Sequence, residues 1–559
     1  MEKENFKLSK LPYERIKIED FEKEALEIIK EFNEAKDGEE QFLVHKKYYN
    51  LMIKVRTAII LAGMRHDGDV SNKFYEEEQD YYDEIAPKIE SFTVKYQKLF
   101  LNSKYRSFFE KKIGEVPFKD IEIKLKAFDD VLIPLKQEEN ALASRYNKLI
   151  AQINVEFRGE KLSLSLLGKY LKSKDRATRI EAAKARSEKL ITVKNELDEI
   201  YDKLVANRNE QVKAMKYDNF VELGYYNMQR NSYDKNDVAN FRNQVKKFFV
   251  PFASKMHEER RKRLGIEKLD YIDEGVYFLD GNPIPIGDAD DIFAAGKKMY
   301  GELSSETKEF FDFMLEHELF DVLGRPNKKA GGYMDMLMLY KAPIIFANFN
   351  GTSGDVDVMT HECGHAFQGY LTRNDEILEH NNITMETAEV HSMSMEFFTG
   401  KWMELFFGDR AEDYRKMQLE DAIAFIPYGC MVDEFQEIIY TKPELTPSER
   451  RDVWRQLEKE YKPHLAFNDD EFYGEGRTWQ MQQHVYNSPF YYIDYCLAQT
   501  CALQFKTRMD EDYKDAWEKY ITFSLESAKD YFPNMLHKIG FKSPFEDGFI
   551  KEIVDKIKL

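Results

Sequence analysis

The chain has 559 residues, 82 Lys and Arg against 101 Asp and Glu, and a formal net charge of −19. That length can bury a large core, whereas the acidic balance opposes general affinity for nucleic acid or an anionic membrane surface. No apolar run has the length a bilayer requires, and charges break every apolar run in the opening stretch "MEKENFKLSKLPYERIKIEDF" before it could serve as a secretory core.

The four cysteines, Cys363, Cys430, Cys496 and Cys501, form no CxxC pair, and a chain of this size needs no disulfide staples. Reduced thiols and a cytoplasmic location are the expectation.

Helical periodicity dominates from the start. Residues 14–35 carry an amphipathic pattern, and residues 153–167, "INVEFRGEKLSLSLL", predict a hairpin turning at Arg158 and Gly159. In residues 178–215, Leu190, Val193, Leu197, Ile200 and Leu204 alternate spacings of three and four, which lines one helix face with apolar side chains. Residues 235–265 continue the helical pattern. The Gly, Asn and Pro cluster of "FLDGNPIPIGDADDIFAAG" (residues 278–296) marks a link before a helix capped near Asp288, and "GRPNKKAGGYMD" (residues 324–335) marks a second break. The main organisational boundary is placed near residue 330, with a helical region 1–330 before it and a catalytic region 331–559 after it.

Beyond that boundary, "APIIFANFN" (residues 342–350) reads as a short strand. Pro343 cannot donate to a ladder, which favours a sheet edge where Phe346 and Ala347 could meet an extended peptide. Asp355 and Asp357 suit the positive end of the helix that follows. That helix holds "MTHECGHAFQGY" (residues 359–370). His361 and His365 lie one turn apart on one face and can share a metal, while Glu362, about 100° round the helix, can reach a water beside it without being a ligand.

Two histidines leave a catalytic zinc site one protein ligand short. The extended HExxHxxGxxH pattern fails, because Gln368 and Leu371 occupy its later positions. A second helix, "METAEVHSMSMEFFTGKWMELFF" (residues 385–407), offers Glu389, 24 positions after His365, with Glu396 two turns further along the same face as a supporting carboxylate. Glu386 and His391 are rival ligands at this point. His391 lies about 200° from Glu389 on the helical wheel, so the two can hardly face one metal. Cys363, about 200° from His361, should point into the core as a small buried side chain. The glycine-containing "YGEGRTWQ" (residues 473–480) is a candidate flexible loop just before His484.

The combination of "NFNGTSGDVDV", "THECGHAFQGY", "EVHSMSMEFF" and "QHVYNSPFYYIDYCLAQ" resembles the thimet oligopeptidase and oligoendopeptidase F family of zinc metallopeptidases. "FYEEEQDYYDE" near residue 74 and "NFVELGYYNM" near residue 219 resemble its bacterial oligoendopeptidase F branch, so the likeness covers most of the chain.

The resemblance implies a mostly α, two-lobed, neurolysin-like helical zincin enclosing a deep substrate channel, with a small β-sheet beside the HExxH helix. It implies one Zn2+ per chain held by His361, His365 and Glu389, with Glu362 as the catalytic glutamate. It makes His484 a substrate-binding histidine and Tyr491 and Tyr495 tyrosines that assist the transition state. Pro489 stands where relatives often carry Gly or Tyr, which keeps Tyr486 and Tyr492 open as alternatives.

The implied activity is hydrolysis of internal bonds in short unfolded peptides, with no nucleic-acid or membrane partner; the sequence leaves the oligomeric state open. A zinc exopeptidase and a silent peptide-binding protein are the competing functions. The first would need a group to capture a terminal amine, and no GxMEN-type segment is present; the intact HExxH with Glu389 opposes the second.

Overall fold

A computed structural model describes residues 6–467 and 469–559; the first five residues of the charged opening stretch and Asn468 lie outside the described residues. Among the described residues the protein is mostly helical with two small sheets, and its backbone groups into two compact units. The first unit combines Met1–Glu122, Ile284–Ala411 and Arg508–Gly540. The second combines Ile123–Pro283, Glu412–Thr507 and Phe541–Leu559. Both units therefore draw on chain from either side of residue 330. Among the described residues, no helix is long and apolar enough to cross a membrane.

Five strands occur among the described residues: β1 (Asn154–Phe157), β2 (Glu160–Ser163), β3 (Phe320–Leu323), β4 (Tyr333–Leu337) and β5 (Ala342–Phe349). In the second unit, β1 and β2 form the expected hairpin, pairing Phe157 with Glu160. Arg158 and Gly159 both take positive φ, 50° and 84°, as a two-residue turn matched to strand twist requires.

The periodic stretch 178–215 in the same unit forms two helices, Arg176–Ile191 and Lys194–Met215, where one was expected. Leu190, Leu197, Ile200 and Leu204 are all fully buried, but Val193 sits in the break. Hydrophobic periodicity reports the buried face and is blind to a two-residue turn that preserves it.

In the first unit, the helix Ile18–Glu34 buries Phe21, Ala25, Ile28 and Phe32 along one face. The predicted cap at Asp288 also forms: its side chain accepts from the N–H groups of Asp290 and Asp291, and Asp291 completes a capping box.

The sheet beside HExxH has the order β3-β5-β4. The edge-strand expectation for "APIIFANFN" is corrected here, because β5 is the central strand. It pairs in parallel with β3 from Ile345 onward and antiparallel with β4 from Ala342 to Phe346. Pro343 is tolerated because the β3 ladder begins two residues beyond it, so its missing N–H falls where only one neighbour is present. Phe346 and Ala347 are each 1 % exposed, and Phe346 stacks on Tyr333 of β4 at 5.0 Å. They are core residues of a central strand and cannot receive a peptide by strand addition.

The chain leaves β5 through Asn350 and Gly351 into the motif helix, Ser353–Thr372. Asp355 in its first turn reaches back and accepts from the N–H groups of Asn350 (2.9 Å) and Gly351 (2.7 Å), welding strand, turn and helix into one unit. The Glu389 helix, Met385–Phe398, packs directly along it.

Candidate metal centre

His361, His365 and Glu389 bring their ligand atoms within 4.8 Å of one another, the one such group of three or more found among the described residues. Oε2 of Glu389 lies 3.4 Å from Nε2 of His361 and 3.5 Å from Nε2 of His365. The two imidazoles stand almost perpendicular, at 84°, with ring centroids 5.1 Å apart. Glu362 is half-buried on the same helix.

Glu396 engages the opposite face of His361, its Oε1 lying 2.7 Å from Nδ1. Since a carboxylate only accepts, Nδ1 carries a proton toward Glu396, which leaves Nε2 as the ring nitrogen that faces Glu389. Ser392 donates to Oε2 of Glu389 at 3.1 Å and to the Glu389 carbonyl at 3.0 Å.

Neither rival ligand belongs to this group. His391 is buried, with Nε2 2.9 Å from Ser527 Oγ, and Glu386 accepts from Thr384 at 2.6 Å. Cys363 is fully buried, and no disulfide joins the cysteines among the described residues.

The second unit gathers another set of predicted residues. His484 lies 5.5 Å from Tyr491, 5.1 Å from Tyr492 and 6.1 Å from Tyr495 by ring centroids, and Tyr491 and Tyr495 are 4.8 Å apart. Gln482 fixes the histidine through Nδ1 at 2.8 Å and is bonded in turn to Tyr428 at 3.1 Å. Tyr486 does not join this cluster; it is fully buried and stacks on Tyr146 at 3.9 Å.

The segment carrying the tyrosines is clamped from below. Phe490 takes a positive φ of 68°, its N–H bonds Gln436 at 3.1 Å, and its carbonyl accepts from the buried Arg230 guanidinium. Arg230 also pairs with Asp494 at 3.0 Å, and Tyr233 donates to the same carboxylate at 2.9 Å.

The loop 473–480 is packed, which corrects its reading as a flexible cover. Trp479 is fully buried against Tyr201, Tyr486 and Phe435, and Arg477 pairs with Asp198 at 2.9 Å. Gly476, at φ 76°, serves close backbone approach, since a Cβ there would stand 2.6 Å from the Arg451 carbonyl.

Two family models match the chain: the peptidase M3 N-terminal domain over residues 8–128 and peptidase family M3 over residues 305–555. PZ peptidase A, solved with an inhibitor, is 43% identical, with 98% of each chain covered and a TM-score of 0.93. The chain belongs to the M3 peptidase family. A Bacillus anthracis protein assigned as an oligoendopeptidase F is 40% identical over 98% of this chain and 96% of its own, with a TM-score of 0.87. An oligoendopeptidase F homolog of Borreliella burgdorferi is 24% identical over 92% of this chain and 90% of its own.

As an M3 metallopeptidase the chain needs a metal, and its donor set fits one. Arms of about 2.0–2.1 Å to a tetrahedral zinc imply donor separations of about 3.3–3.4 Å, close to the 3.4 and 3.5 Å observed. The electrostatics agree. Burial disfavours a charged His361, yet Glu389 and Glu396 outweigh it and hold its pKa well above the usual imidazole value. Burial likewise penalises the Glu389 carboxylate, but His361 and His365 hold it ionised far below the usual range. The site is thus built to neutralise charge with charge. Sequence reasoning missed Ser392, whose spacing of three from Glu389 is its only signal, and also Gln482 and Arg230, which have none.

Proposed function

We propose that this M3 peptidase is a zinc-dependent endopeptidase, with one Zn2+ per chain, that hydrolyses internal bonds of short unfolded peptides in the cytoplasm. The observation that carries the proposal is the His361, His365 and Glu389 group, with Glu396 fixing the tautomer of His361.

Zinc held by two imidazoles and a carboxylate would polarise the scissile carbonyl and lower the pKa of water toward about 7. Glu362 takes the proton of the attacking water and passes it to the leaving amine, acting as base and then as acid. Glu396 keeps His361 in the tautomer that presents Nε2. His484, Tyr491 and Tyr495 are assigned as donors to the developing oxyanion, a role that O–H and N–H groups in a dry site perform well. Tyr492, whose ring centroid lies 5.1 Å from that of the same histidine, is assigned to substrate contact.

The test follows cleavage of an N-acetylated, C-amidated ten-residue peptide by mass spectrometry, for wild type and Glu362→Gln, beside folded proteins and with bound metal measured. Internal cuts by wild type alone, equal zinc in both and intact folded proteins are expected. Cleavage only of peptides with a free N-terminus would replace this proposal with an exopeptidase.

A further inference from the structure

We infer that Gly364 and Ser392 are positioning residues for the metal ligands: Gly364 lets the motif helix close onto the Glu389 helix, and Ser392, at the point of contact, holds the Glu389 carboxylate. This rests on the assignment of His361, His365 and Glu389 as ligands.

Gly364 lies inside a 20-residue helix, where glycine runs against local preference. The reason is on the facing helix. A Cβ at this position would stand 2.6 Å from Ser392 Cα, 2.8 Å from the His391 carbonyl oxygen and 3.0 Å from Met395 Cβ. Two of the three are backbone atoms, so no rotamer change relieves the contact. Restoring ordinary carbon–carbon separation needs a shift of about 1 Å.

The Glu389 helix is also tied to a third segment, which carries Tyr520 and Ser527. Tyr520 donates to the same His391 carbonyl at 2.9 Å, and Ser527 bonds His391 Nε2 at 2.9 Å. Retreat would strain both bonds.

The contact point is also where Glu389 is held. Ser392 Oγ bonds Oε2 of Glu389 at 3.1 Å, and that same oxygen faces both imidazoles. Displacing the backbone at Ser392 therefore moves the third ligand relative to the first two. Coordination distances tolerate about 0.2 Å, well below the displacement a side chain at 364 would impose.

Gly369, on the same helix, supplies a matched control. A Cβ there meets only side-chain atoms, Met336 Sδ at 3.5 Å and Met334 Cε at 4.0 Å, which is ordinary contact.

The experiment compares wild type, Gly364→Ala, Ser392→Ala, Gly369→Ala and His361→Ala. Zinc affinity is measured by chelator competition, the cobalt absorption spectrum is recorded, and thermal unfolding of each metal-free protein reports folding. Gly364→Ala should bind zinc 10–100-fold more weakly with an altered cobalt spectrum, Ser392→Ala about tenfold more weakly, and Gly369→Ala as wild type. Folded Gly364→Ala with wild-type affinity and spectrum overturns the inference. Should Gly364→Ala fail to fold, Ser392→Ala decides: weakened binding upholds the inference and wild-type binding overturns it. If wild-type protein takes up no zinc, or His361→Ala binds as well as wild type, the ligand assignment itself fails, an outcome distinct from either.

Discussion

In the first unit, three donor atoms converge because two helices run side by side, and two of the donors lie four residues apart on one helix. In the second, a histidine and three tyrosines gather around a segment whose direction depends on one left-handed residue, Phe490, and on a buried arginine 260 positions earlier in the chain. The metal group inherits its geometry from helical periodicity and needs one close crossing. The histidine and tyrosine cluster is held by ion pairs and carbonyl bonds far apart in sequence. Mutations of the residues that hold the donors of the first should act on metal affinity, whereas Glu362 beside them and the residues of the second should act on turnover with metal intact.

The largest expected effect comes from Glu362→Gln, which should lower kcat about 10³–10⁴-fold with zinc retained, measured by peptide turnover and metal content. Tyr491→Phe and Tyr495→Phe test the other side of the comparison. Loss of one oxyanion donor should cost about 10²–10³-fold in kcat, with KM and zinc affinity little changed. If both variants turn over peptide at the wild-type rate, the second cluster has no part in the chemistry.

Arg230→Ala would leave the buried Asp494 without its cation and the Phe490 carbonyl without its donor. Breaking a buried pair of this kind costs about 3–5 kcal/mol, to be read by denaturant unfolding. A lower kcat should accompany it, while zinc affinity stays at the wild-type value. Gly224→Ala should be milder, by about 1–3 kcal/mol, because its Cβ would stand 2.6 Å from the Phe490 ring.

The second unit also carries an acid-sensitive element. His257 and His464 stack at 3.6 Å, and burial, then Lys462 and Arg260, push the pKa of His464 down to about 3. Between about pH 6.5 and 3 the unfolded chain takes up a proton that folded His464 refuses, so stability is complete above that window and falls as pH drops through it. His464→Phe should flatten the acid limb of a stability–pH curve by up to about 1.4 kcal/mol per pH unit. The smallest effect is Gly369→Ala, which should raise stability by less than about 1 kcal/mol and leave zinc affinity unchanged.

Parts of this architecture are legible in the sequence for a common reason: they are local. The hairpin at Arg158 and Gly159, the cap at Asp288 and the pairing of His361 with His365 each depend on residues within one or two turns, where backbone sterics and periodicity dictate position. Glu389 stands out less clearly, since Glu386 and His391 share its helix and only the facing of that helix selects among them. The central position of β5 escapes local reading because β3 and β4 approach it from opposite sides, and Pro343 marks only where one ladder begins.

The sequence by itself determined a mostly helical M3-type chain with a two-histidine motif and a glutamate waiting on a second helix. The tertiary structure alone decided which side chains hold those residues in place. Gly364 against Ser392, Glu396 behind His361 and Arg230 beneath Phe490 are contacts across tens to hundreds of residues, and no local preference encodes a distance that packing must set.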